Sequence, residues 1–145
     1  MIDSILLVDD EDLFHLVFED ACSLLDITLS LRSINSADEA AEMFKKWFNN
    51  GDLSNRPACV FVDLNIIGSS FDGIELIRKI NFEFGNTVVI GIISSSNEAE
   101  EQAKAIRSGA QFWIIKSDDI EPRLEQFKKD YVGYKNRTAP FKIYT

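Results

Sequence analysis

The sequence predicts a three-layer α/β domain of the doubly wound type, a parallel sheet with helices on both faces. Three observations carry that expectation. Short apolar runs alternate five times with amphipathic stretches of helical length, which is the signature of repeated βα units, because parallel neighbours need a crossover and a helix usually supplies it. The central runs are apolar on both faces, as strands covered from two sides must be. Finally, 145 residues are enough to bury one full core without disulfide or metal staples and too few for two comfortable domains.

In chain order, the strand candidates are SILLV (4–8), TLSLRSI (28–34), ACVFV (58–62), TVVIGII (87–93) and AQFWII (110–115). The helix candidates are 12–25, 37–48, 72–84, 98–108 and 120–132, each with apolar residues at three- and four-residue spacings. ILLV and VVIGII read as central strands, whereas TLSLRSI alternates like a half-exposed edge. The favoured sheet order is therefore 2-1-3-4-5, with ligands expected at the carboxyl ends of the strands near the switch between strands 1 and 3. NNGDLSNRP (49–57) is rich in turn formers and reads as a long loop. Residues 1–132 form the expected domain. Residues 133–145 form a C-terminal tail, a basic, aromatic arm with Lys135, Arg137 and Lys142 and no acid.

The net charge of −9 argues against direct nucleic-acid binding, since Lys and Arg supply most non-specific affinity for phosphates. A basic partner or a divalent cation fits better. Apolar runs fall far short of the ~20 residues of a membrane span, and the acid-rich start is unlike a signal peptide, so a soluble, cytoplasmic protein is expected. Cys22 and Cys59 lie among apolar residues and read as buried free thiols.

Polar groups stand directly after four apolar strands: Asp9 and Asp10 after the first, Asp63 after the third, Ser94 after the fourth and Lys116 after the fifth. Any one of them could cap a helix or solvate a turn. Together they converge on one rim, where clustered carboxylates repel one another and require a compensating cation. A hard divalent ion with oxygen ligands is the expected solution.

These residues resemble the receiver domains of two-component response regulators, whose single-domain form includes the chemotaxis response regulator. The resemblance covers about residues 2–132 and rests on ILLVDDED (5–12), VFVDLN (60–65) with DGIELIRKI (72–80), IISSS (92–96) and SGAQFWIIK (108–116). It implies a flavodoxin-like (βα)5 fold and a signalling domain that catalyses only its own phosphorylation and dephosphorylation. Asp63 is then the phosphoacceptor for a sensor histidine kinase or a histidine phosphotransfer protein. Asp9, Asp10, Asp63 and the backbone carbonyl of Asn65 hold Mg²⁺, while Ser94 and Lys116 contact the phosphoryl group. The resemblance also makes Ser94 and Trp113 a switch pair, with Trp113 moving inward after Ser94, and Asn65 and Ser96 modulators of dephosphorylation. Output would leave by contact with a downstream protein or a second copy through the face of helix 4, strand 5 and helix 5.

Several departures from the family pattern stand out. Ser117 replaces the usual Pro after the lysine, the loop running from Ile66-Ile67 into GSSFDG is about two residues longer and is expected to be looser, and KKWFNNGDLSNRP extends the second-helix region. Other chemistries fail on particular residues. Gly68 and Gly73 have phosphate-loop spacing, but Ile74-Glu75 replaces its Lys and Ser/Thr. His15, the only histidine, reads as a surface residue away from the rim. Asp63-Leu64-Asn65 is similar to the Asp-x-Asp loop of haloacid dehalogenase-like phosphatases, but Asn65 lacks the second carboxylate that acts as general acid/base there. A pseudo-receiver that binds proteins without phosphorylation is the alternative from another class.

Overall fold

The computed structural model describes residues 1–49, 56–85 and 87–145. Its central strands are the runs with no polar face: β1 (Ile5–Val8), β3 (Cys59–Asp63) and β4 (Val89–Ser94) are buried at every position. β2 (Leu31–Ile34), which alternates in sequence, has Arg32 exposed at the sheet edge. β5 (Phe112–Ile115) lies on the far side of β4. The expected strand for 28–34 is shorter than its apolar pattern suggests, with Thr28 making only an isolated bridge to Ile2.

Five helices cross over these strands: α1 (Asp12–Leu24), α2 (Ala37–Asn49), α3 (Gly73–Phe84), α4 (Ala99–Ser108) and α5 (Glu121–Lys135). Strand residues alternate between two cores, as the two-residue period of a pleated strand requires. Leu6, Val8, Val60, Val62, Ile90 and Ile92 face α2 and α3. Ile5, Leu7, Cys59, Phe61, Val89 and Ile93 face Phe14 and Phe18 of α1 and Leu124 and Phe127 of α5. Gly91 is required where Phe112 crosses β4, since a Cβ there would lie 2.6 Å from the ring. Cys22 and Cys59 are buried free thiols, and burial pushes the Cys22 pKa up to about 12. No helix among the described residues is long and apolar enough to cross a membrane.

The order 2-1-3-4-5 holds, and the sheet continues into a sixth parallel strand, β6 (Lys142–Tyr144), beside β5. The tail expected at 133–145 thus carries the end of α5 and this additional strand. α5 runs past Val132 to Lys135, and Arg137 then takes a left-handed conformation (φ 59°) that ends the helix and turns the chain back. Tyr144 anchors the return. Its hydroxyl lies 2.8 Å from that of Tyr134 and donates to Asp130 at 2.7 Å, its ring meets Phe127 edge-on, and Lys142 pairs with Asp130 at 3.1 Å. Of the loop expected at 49–57, residues 50–55 lie outside the described residues.

Candidate functional site

Parallel registry brings the strand ends into line. Val8 pairs with Val62, Asp63 with Ile93 and Ser94 with Ile115, so Asp9, Asp63, Ser94 and Lys116 emerge at one rim, as the sequence predicts. Gly73, at the start of α3, donates its N–H to the Leu64 carbonyl at 2.9 Å. A Cβ at this position would collide with the carbonyl oxygen of Asp63, so only glycine lets α3 begin this close to the rim. Asp72 caps that helix, its side chain accepting from the Glu75 N–H at 2.8 Å.

Asp9, Asp10 and Asp63 each place a carboxylate oxygen within 4.8 Å of the others. Asp9 is fully buried, Asp63 is 7% exposed and Asp10 is half-buried. Lys116 spans the cluster. Its ammonium is 2.8 Å from Asp9 Oδ2, 2.8 Å from Glu11 Oε1 and 3.7 Å from Asp63 Oδ2, and it sits 4.4 Å above the Phe14 ring. One ammonium cannot neutralise this many acids. Burial first, and then the Asp9 charge, push the Asp63 carboxyl up to about 7, despite the opposing pull of Lys116. Burial likewise raises Asp9 against its contacts to Lys116 and the Glu11 N–H. Burial works against the Lys116 charge, yet Asp9 and Glu11 outweigh it and hold its pKa above the usual lysine value.

A small hard cation fits this donor set. Among the described residues, Asp9 Oδ2 is buried and meets only the Lys116 ammonium, which it shares with Glu11, so one cation serves several acids here. Three carboxylates that each bring an oxygen within 4.8 Å of the others are the hard oxygen donors that such an ion takes. Leu64 and Ile66 spend their carbonyls on Gly73 and Ser69, while the Asn65 carbonyl has no backbone partner among the described residues and is free to complete the set.

Glu11 and His15 were not assigned to the site from sequence. Glu11 belongs to the same acidic run as Asp9 and Asp10, and that proximity is the only signal it offers. His15, expected to lie away from the rim, packs one turn into α1 with Nε2 2.6 Å from the Asp9 carbonyl oxygen. A carbonyl only accepts, so Nε2 carries the proton and the ring holds the backbone of Asp9 in place.

The loop after β3 also differs from expectation. It is fastened at three points: the Ile67 N–H donates to Asp10 Oδ2 at 3.1 Å, Ser69 Oγ accepts from the Ala37 N–H at 2.9 Å, and the Ser70 N–H donates to Asp38 Oδ2 at 2.9 Å. The extra residues thus tie the metal-side loop to the start of α2. Beyond Lys116 the chain has no cis bond, and Ser117 Oγ accepts from Arg123 at 2.5 Å.

Ser94 is buried, its hydroxyl accepting from the Ser96 N–H at 3.1 Å. Trp113 is wholly buried, and its indole N–H donates to the Ser96 carbonyl at 3.0 Å. In this conformation the Trp113 side chain already lies inside the fold, and it is joined to Ser94 through Ser96. Asn65 and Ser96 stand more exposed, at the mouth of the rim.

A profile of the response regulator receiver domain family matches residues 5–126. Comparison with curated proteins finds no match. Among solved structures, the two-component response regulator from Cytophaga hutchinsonii superimposes with a TM-score of 0.76 at 23% identity, over 91% of this chain and 98% of that one. The phosphorylated cyanobacterial phytochrome response regulator RcpA gives 0.71 at 18% identity, over 96% and 97%. The Mn²⁺-bound form of response regulator Rcp1 gives 0.72 at 18% identity, over 89% and 94%. At these identities the structural likeness speaks for the fold.

Proposed function

Because the chain belongs to the response regulator receiver domain family, we propose that it is a phosphoacceptor that takes a phosphoryl group from phosphohistidine onto Asp63 with Mg²⁺ and signals by protein contact. The observation that carries this reading is the convergence of Asp9, Asp10 and Asp63 within 4.8 Å, with Lys116 3.7 Å from Asp63. That complete set favours a working site over a pseudo-receiver that only binds proteins. The phosphorylated RcpA and the Mn²⁺-bound Rcp1 support it by analogy.

An oxygen of ionised Asp63 attacks phosphorus, an acyl phosphate forms, and the P–N bond to the donor imidazole breaks with its electron pair returning to the ring. Asp10, Asp63 and the Asn65 carbonyl would hold Mg²⁺, with Asp9 acting through water. When bound, the ion would offset the negative charge of the phosphoryl group being transferred. Lys116 is already beside Asp63 and exchanges a carboxylate contact for a phosphoryl oxygen. Ser94 Oγ now accepts from Ser96, so its own proton is available to donate to another phosphoryl oxygen.

A protein donor needs a surface beside this rim. Leu13 and Leu16 on α1 and Ile67 in the metal-side loop are 75%, 62% and 84% exposed, an apolar border that suits docking. Output through helix 4, strand 5 and helix 5 must take account of β6, which occupies the β5 edge and makes α4, β6 and α5 the surface offered to a partner. The test is phosphotransfer. A labelled histidine phosphotransfer protein should lose label to this chain only with Mg²⁺ and only when Asp63 is present; transfer undiminished in Asp63→Asn refutes the assignment.

A further inference from the structure

At the opposite end of the sheet from Asp63 lies a cavity of about 520 Å³, between the starts of the strands and the end of α5. That volume is typical of a small-molecule site. Four cations line it, Arg32, Arg56, Lys135 and Arg137, against one acid, Asp3. On a chain of net charge −9 this is a strong local reversal of sign. Among the described residues, none of the four has a carboxylate within ion-pair distance; Arg56 lies 5.1 Å over the Phe48 ring, and Arg137 donates to the Val88 carbonyl at 2.9 Å.

Arg137 gives an independent indication. It occupies the left-handed position that ends α5, where glycine is the favoured residue and an ordinary side chain costs about 1 kcal/mol. Nothing in the helix end requires a guanidinium there. The side chain instead reaches across to the start of β4, where burial disfavours its charge. Among the described residues, a partly desolvated cation that lines the same cavity as three others, with Asp3 the one acid there, leaves positive charge in excess for an anion to meet. Trp47 and Pro57 add apolar wall to the same cavity.

We propose that this cavity binds a small molecule carrying a chain of phosphates, a nucleoside polyphosphate or an inorganic polyphosphate, with Arg32, Arg56, Lys135 and Arg137 on the phosphate oxygens. Bidentate guanidinium contacts suit phosphate geometry, and the limited volume suits one compact ligand better than an extended chain. Such a ligand would tie β2, the start of β4 and the turn from α5 into β6 to one another.

The test is calorimetric titration of the full chain at constant ionic strength with EDTA, so that the acidic rim holds no metal, using inorganic tripolyphosphate, ATP and a glutamate-rich peptide. The site predicts one-to-one binding of tripolyphosphate and ATP, with amide resonance shifts confined to the neighbourhood of Arg32, Val88 and Val89. Tighter binding of ATP would identify a nucleotide through the apolar wall; equal binding would identify the phosphate chain alone. Arg137→Ala should weaken affinity about tenfold. Arg32→Ala should do the same at an exposed edge position where folding is not at stake, and Arg107→Ala on α4 should change nothing. No saturable binding, equal losses in Arg107→Ala, or tighter binding of the peptide would each overturn the proposal.

Discussion

The Lys116 ammonium sits 2.8 Å from Asp9 Oδ2, so the only cation at the rim among the described residues is already committed to a fully buried acid before any phosphoryl group arrives. Its 3.7 Å separation from Asp63 leaves it one small movement from a new anion there. The rim is therefore short of positive charge at rest, and under the proposed function a metal ion would supply it.

Replacing Lys116 with Met should expose that shortage. Asp9 and Asp63 would stay buried without their partner, and breaking a buried pair from one side typically costs about 3–5 kcal/mol. Urea unfolding should show a loss of this order in metal-free buffer, reduced by Mg²⁺. A loss that is small and indifferent to Mg²⁺ would mean that Lys116 does not balance the acids.

Metal-free stability should fall as pH rises. Folded Asp63 keeps its proton up to about pH 7, against an ordinary value of 3.8. Its contribution is thus fully present below about pH 4 and is lost as pH climbs through 7. Asp63→Asn, which resembles the protonated form, should stabilise the metal-free protein at pH 8 by on the order of 1–3 kcal/mol and by almost nothing at pH 4. Thermal unfolding across that range checks it, and Mg²⁺ affinity should rise from pH 6 to pH 8 as the competing proton leaves.

β6 should be fastened chiefly by Tyr144. Tyr144→Phe removes the hydroxyl shared with Tyr134 and Asp130 and should cost about 1–2 kcal/mol, while Tyr144→Ala also empties the contact with Phe127 and should cost roughly 3–5 kcal/mol. Amide exchange in Phe112–Ile115 should quicken in both, because β5 loses its neighbour. Unchanged exchange would show that β6 contributes nothing to that edge.

Asn65 and Ser96 should set how long the acyl phosphate survives, since each lies two residues beyond a site residue, where it would border the path of an attacking water. Substitution at either should alter phosphate release several-fold, as followed by loss of the phosphoryl mass with time. Identical decay in both variants would remove them from that path.

The strands, their order and the rim were legible because central strands must be apolar on both faces, which makes Asp9, Asp63, Ser94 and Lys116 conspicuous as the first polar residues beyond them. β6 was not legible. Three residues with a single inward side chain, Tyr144, give no period to read, and their pairing depends on Arg137 turning the chain back. Glu11 and His15 were missed for another reason: both reach the site through the angle at which α1 leaves β1, which no local pattern encodes. The loop after β3 looked loose by length, but its attachments to Asp10, Ala37 and Asp38 are contacts between segments distant in sequence.

Intact-mass measurement after incubation with a small-molecule phosphodonor tests the central claim most directly. The account predicts one phosphoryl group per chain with Mg²⁺, none with EDTA and none in Asp63→Asn. An adduct of equal yield in Asp63→Asn, or its absence from the wild-type chain with Mg²⁺ and a competent donor, would contradict it.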